Sequence, residues 1–117
     1  MDEKPTRKEL AADYKAARPD AGVFRILNGV SGRSLLGTTQ NLASARNKFS
    51  FAVSTDSPAA LDYRLKADVE AVGLAAFTFE VLEAVTVKAD ATRAEIESEL
   101  TTLEALWREK LGADALY

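Results

Sequence analysis

The chain has 117 residues, 47% hydrophobic and 28% charged, which fits one globular domain with a single core and leaves little room for a second. It contains neither Cys nor His, so disulfides, thiolate nucleophiles, His-based proton transfer and the usual zinc ligand sets are excluded; any metal would be a hard cation held by carboxylates. The net charge of -3 conceals an asymmetry: residues 1–66 hold 11 of the 15 Lys and Arg against 7 of the 18 Asp and Glu, a balance of +4, and the remainder holds 4 against 11, a balance of -7.

No apolar run approaches the roughly 20 residues a membrane span needs, and Met1-Asp2-Glu3-Lys4-Pro5 leads into a charged segment instead of a signal peptide's apolar stretch. These features predict a soluble, cytoplasmic protein without membrane association. The basic half could meet a polyanion, because nucleic-acid affinity is mainly phosphate neutralisation. The same side chains also serve simply to solvate a surface, and composition leaves both readings open.

Thr6 and Glu9 have capping-box spacing, and Leu10, Tyr14 and Ala17 share one side of the helix that would follow, so a helix is predicted over 6–17, stopped by Pro19. Residues 1–20 would pack this helix on a domain of residues 21–117. Gly22 to Gly37 then reads as a β-hairpin: two runs rich in strand formers flank a polar link with Asn28, Gly29, Ser31 and Gly32, residues that tolerate a tight reversal. Alternation puts Phe24 and Ile26 on one face and Val23, Arg25 and Leu27 on the other, with Leu35 and Leu36 supplying one apolar side chain to each. Gly37 is predicted to end the second strand.

Asn41 can cap a helix whose Leu42, Ala45, Phe49 and Val53 share a side, leaving Arg46 and Lys48 off that stripe. Ser57 as cap and Pro58 at the first helical position would open another, with Leu61, Leu65, Val69 and Val72 in one continuous stripe closed by Gly73. Ala76 to Glu83 alternates aromatics and Val against Thr and Glu, the pattern of a third strand burying Phe77, Phe79 and Val81. Thr92 and Glu95 open the last helix, Ile96, Leu100, Leu103, Trp107 and Leu111 form its seam, Gly112 closes it, and Glu104 lies at the seam's margin.

Gly22-Val23-Phe24, Leu35-Leu36-Gly37, the polar segment Thr38-Thr39-Gln40-Asn41-Leu42, the strand Phe77 to Glu83 and Leu103-Glu104-Ala105-Leu106-Trp107 occur in the order and separations of the GIY-YIG nuclease superfamily. The chain from Gly22 onward resembles that family, and residues 7–19 look like the leading helix of its small stand-alone bacterial variants. The resemblance implies an α/β (α+β) fold, a three-stranded antiparallel sheet flanked by helices. In active members it also implies Mg²⁺-dependent phosphodiester hydrolysis by two tyrosines, an Arg, often a His, and a metal-binding Glu. Here the tyrosine positions hold Phe24 and Leu35, the Arg position Ala45 and the His position Phe49, so the resemblance implies a degenerate site. Glu104 alone matches, as a metal ligand or as a helix-margin carboxylate paired with Arg108.

Three functions follow as expectations. The first is a binding module without nuclease activity, whose partner is a nucleic acid met by Arg25, Arg33, Arg46 and Lys48 or a protein. The second is an endonuclease in which Glu104 still holds Mg²⁺ and Arg46, Lys48 or Tyr63 replaces the lost groups. The third is a structural domain that forms a homodimer through an apolar surface. No haem, flavin or nucleotide cofactor is expected.

Overall fold

The computed structural model describes residues 19–117, and the helix predicted over 6–17, with Tyr14, lies outside them. Strands β1 (Ala21–Asn28), β2 (Ser34–Thr39) and β3 (Phe77–Val85) form one antiparallel sheet in the order β2-β1-β3. The predicted hairpin is the β1–β2 pair, and β3 completes the sheet along the free edge of β1. Ile26 faces Leu35 on one side and Phe79 on the other, so a single register lines up apolar residues from all three strands.

The alternation of β1 sorts the core into two layers. On the side of Ile26, helices α1 (Leu42–Ser54) and α2 (Lys66–Val72) and the segments between them cover the sheet, burying Leu35, Phe49, Leu65, Val69, Leu74 and Phe77. On the other side lies α3 (Arg93–Leu111), whose Ile96 and Leu100 pack with Ala21 and whose Leu103, Trp107 and Leu111 pack with Val23 and Leu36. The fold is thus α+β, a three-stranded antiparallel sheet with helices on both faces. Among the described residues no helix is long and apolar enough to cross a membrane.

Local chemistry sets the helix ends as the sequence predicts. Asn41 accepts the amide of Ser44 at 3.0 Å, and Thr92 and Glu95 exchange both bonds of a capping box. Gly73 and Gly112 close α2 and α3 with φ of 86° and 85°, a region that costs residues with a Cβ.

Four expectations need correction. The continuous helix over Pro58–Val72 is broken: two short 3-10 turns, Pro58–Ala60 and Tyr63–Leu65, precede α2. Leu61 is extended, and the Asp62 side chain accepts the amide of Arg64, so Asp62 caps a second start where one stripe was expected. Val72 is consequently at the surface. On α1 the buried residue of the last turn is Ala52, and Val53, about 100° further round, is exposed.

Val81 is 38% exposed instead of buried. A bulge places Val81 opposite Phe24 but Glu83 opposite Val23, leaving Leu82 extra. Leu82 then packs with Val23, and Glu83 accepts the Trp107 indole N–H at 2.8 Å, so both side chains serve the α3 layer. Finally, Asn28 is a buried strand residue, not part of the exposed turn. Its Oδ1 accepts the amides of Val30 and Ser31, and the positive φ of the turn falls on Gly32.

After α3 the chain turns back to the hairpin. Leu116 is buried beside Ser34, and the Tyr117 amide donates to the Ser34 carbonyl at 3.0 Å. The Tyr117 hydroxyl donates to Asp68 on α2. Burial pushes this hydroxyl above its ordinary pKa, and the bond to Asp68 favours its protonated form further.

Candidate binding cleft

The four positions singled out on β1, β2 and α1, Phe24, Leu35, Ala45 and Phe49, line one cleft of about 510 Å³ between the sheet and the α1–α2 connection. Leu35 and Phe49 are 5% and 8% exposed and form its floor as members of the core; Phe24 and Ala45 are half-buried walls. Phe24 stacks on Phe79 at 4.9 Å between ring centroids, and Phe49 approaches Phe79 at 6.0 Å. Gly37 lies within β2, not at its end. A Cβ there would come within 2.7 Å of the Phe24 ring tip, so the glycine makes room for the aromatic wall.

The basic residues named from sequence separate. Arg25 lies on the α3 side of the sheet, where its Nε donates to Glu80 at 2.7 Å. Arg33 covers the Tyr117 ring at 4.5 Å and donates to the Leu116 carbonyl. Arg46 lies over the Phe79 ring at 5.1 Å, and Lys48 lines the cleft. Of these four, Arg46 and Lys48, both on α1, are the ones beside the aromatic cluster. Tyr63 is 83% exposed and does not line the cleft.

Glu104 faces a separate hollow on α3 and accepts a bond from Arg108 at 3.2 Å. Among the described residues no three carboxylates come together as a cation site. Mg²⁺ demands near-octahedral oxygen ligation, and one carboxylate engaged by a guanidinium does not fit that requirement.

Arg64 is the cleft residue that periodicity missed. Its Nε and Nη2 donate to the two oxygens of Asp62 at 3.0 and 2.8 Å, and its backbone amide donates to the same carboxylate at 2.9 Å. The side-chain bond from Arg64, then the backbone bond, hold Asp62 down at about 2. Asp62 likewise raises the Arg64 pKa, and the Glu104 charge adds a smaller contribution in the same direction. An Asp at a helix start followed two residues later by Arg was the available signal.

The folded pKa of Asp62 lies below its unfolded value, so its contribution to stability is complete above the ordinary carboxylate range and is lost as pH falls through about 2. Because the pair is partly exposed, solvent screening keeps that contribution under about 1 kcal/mol. Acid titration of unfolding should show Asp62→Asn abolishing a small stability loss between roughly pH 4 and 2; an unchanged profile would count against the pairing.

Comparison with known protein families, curated proteins and solved structures finds no match for this chain.

Proposed function

We propose that this chain is a GIY-YIG-like domain that has lost phosphodiester hydrolysis and acts as a binding module through the cleft at Phe24 and Phe49. One observation carries the reading. The four side chains gathered at the cleft, Phe24, Leu35, Ala45 and Phe49, contain no hydroxyl, imidazole or charge, yet they still border a cleft of about 510 Å³. Hydrolysis of a phosphodiester needs an activated water, a donor to the phosphate oxygens and a cation for the developing charge. These four side chains supply none of these, and the donors that Lys48 and Arg64 bring stand at the rim. The apolar wall does supply contact area, which is what binding uses.

Incubation of the pure protein with labelled single-stranded, duplex and branched DNA, with and without Mg²⁺ or Mn²⁺, is expected to give no cleavage. Millimolar metal is expected to leave the melting temperature unchanged, since a ligand that binds only the folded state would raise it. Metal-dependent cleavage that disappears in Glu104→Ala would overturn the proposal. The same titration at two salt concentrations scores retention of DNA, for which Arg46 and Lys48 beside the aromatic wall are the relevant cations.

A further inference from the structure

What the cleft can hold is set by its walls and by the charge at its rim. Phe24, Phe79 and Leu61 present an apolar surface, and a volume of about 510 Å³ suits a small molecule better than a folded segment of protein. Two cations reach the rim, but they are not equivalent. Arg64 is clamped by Asp62 through two side-chain bonds, so the pair is close to neutral and its guanidinium is fixed in place. The Arg64 Nη1 has no hydrogen-bond partner among the described residues, and Lys48 has neither a hydrogen bond nor an ion pair among them.

Among the residues that line it, the cleft therefore carries one uncompensated positive charge, from Lys48, and a second donor, from Arg64; Arg46 stands over the Phe79 ring but is not part of the lining. A polynucleotide would bring several phosphates into a cleft whose lining holds one such charge, and toward the Asp62 carboxylate. A molecule with an apolar body and one anionic group matches both the wall and the rim.

Resting on the reading of the cleft as a binding site, we propose that it takes a small amphipathic monoanion, a carboxylate on an aromatic or short aliphatic body. The body lies against Phe24, Phe79 and Leu61, and the carboxylate meets Lys48 and Arg64.

The test uses 2-naphthoate and its neutral analogue 2-naphthamide as probes on the full chain, followed by calorimetry and by amide chemical shifts. The acid is expected to bind about fivefold or more tightly than the amide, because a charge-assisted bond adds to the same apolar contact. Lys48→Gln, at an exposed position that leaves the fold intact, is expected to remove most of that difference and to leave the amide unaffected. Equal binding of acid and amide, an unchanged preference in Lys48→Gln, or no binding of either probe at millimolar concentration would overturn the proposal. A protein that ignores naphthoate yet retains DNA through Lys48 would sink the monoanion and leave the cleft a binding site. Metal-dependent cleavage of DNA would sink both.

Discussion

Asn28→Ala is expected to destabilise the protein by about 3 kcal/mol, a large share of the stability of a domain of this size. The side chain is 1% exposed and uses both ends of its amide. Its oxygen accepts the amides of Val30 and Ser31 at 2.9 and 3.2 Å, holding the hairpin turn. Its nitrogen donates to the Tyr117 hydroxyl at 3.0 Å and to Asp68 at 3.3 Å, joining the turn to α2 and to the segment after α3. Alanine would remove the acceptor of two turn amides and leave the half-buried Asp68 carboxylate and Tyr117 hydroxyl without the amide that joins them to the turn, and buried groups short of a partner cost more than a bond contributes when made. Urea denaturation followed by circular dichroism measures the loss; a value under about 1 kcal/mol would show that the turn is held without this amide.

Asn28→Asp separates the two halves of that argument. It keeps the acceptor for the turn but sets a carboxylate against Asp68. It should be at least as destabilising at neutral pH, and it should recover as acidification lets one of the two carboxylates take a proton.

The second large effect is expected at Gly22. A Cβ there would overlap the carbonyl oxygen of Glu83, lie 3.2 Å from the Ala84 Cα and come within 2.9 Å of Leu42 Cδ1. Two of these neighbours are backbone of β3 beside the bulge, held by pairing to β1, so they cannot move aside as a side chain could. Gly22→Ala should cost about 3 kcal/mol or more, or prevent folding altogether. Gly32→Ala is the control. Gly32 has φ of 79° but nothing within 4 Å of a built Cβ, so only the backbone conformation opposes the change and about 1 kcal/mol is expected. Thermal and urea unfolding of the two variants distinguish a steric origin from a conformational one; equal losses would refute the clash.

Much of the fold could be read from the sequence because its signals are local. Alternation in β1 assigned Phe24 and Ile26 to one face, and the caps Asn41, Thr92 with Glu95, Gly73 and Gly112 work through atoms a few residues away. Signals that compete or act at a distance were not legible. The stripe Leu61–Leu65–Val69 continues through Asp62 in a periodicity count, yet the Asp62 carboxylate captures the Arg64 amide and restarts the chain. The extra residue Leu82 arises from how β3 meets β1, about 60 residues away in the chain, which alternation within β3 cannot express. The site divides in the same way. Phe24, Leu35, Ala45 and Phe49 meet around one cleft, while Arg25 and Arg33, which sequence grouped with Arg46 and Lys48, are turned elsewhere by the face and the end of the strands that carry them.

Leu35 and Phe49 belong to the cleft floor and to the core together. Such double membership restricts what either position can become. A hydroxyl or imidazole placed at either position would enter a packed layer without a partner, at a cost of about 1–3 kcal/mol before it could do any chemistry. New polar chemistry can enter this cleft most cheaply at its rim, at residues 45, 48 and 64, so variation among descendants of this chain should be sought there and not on the floor.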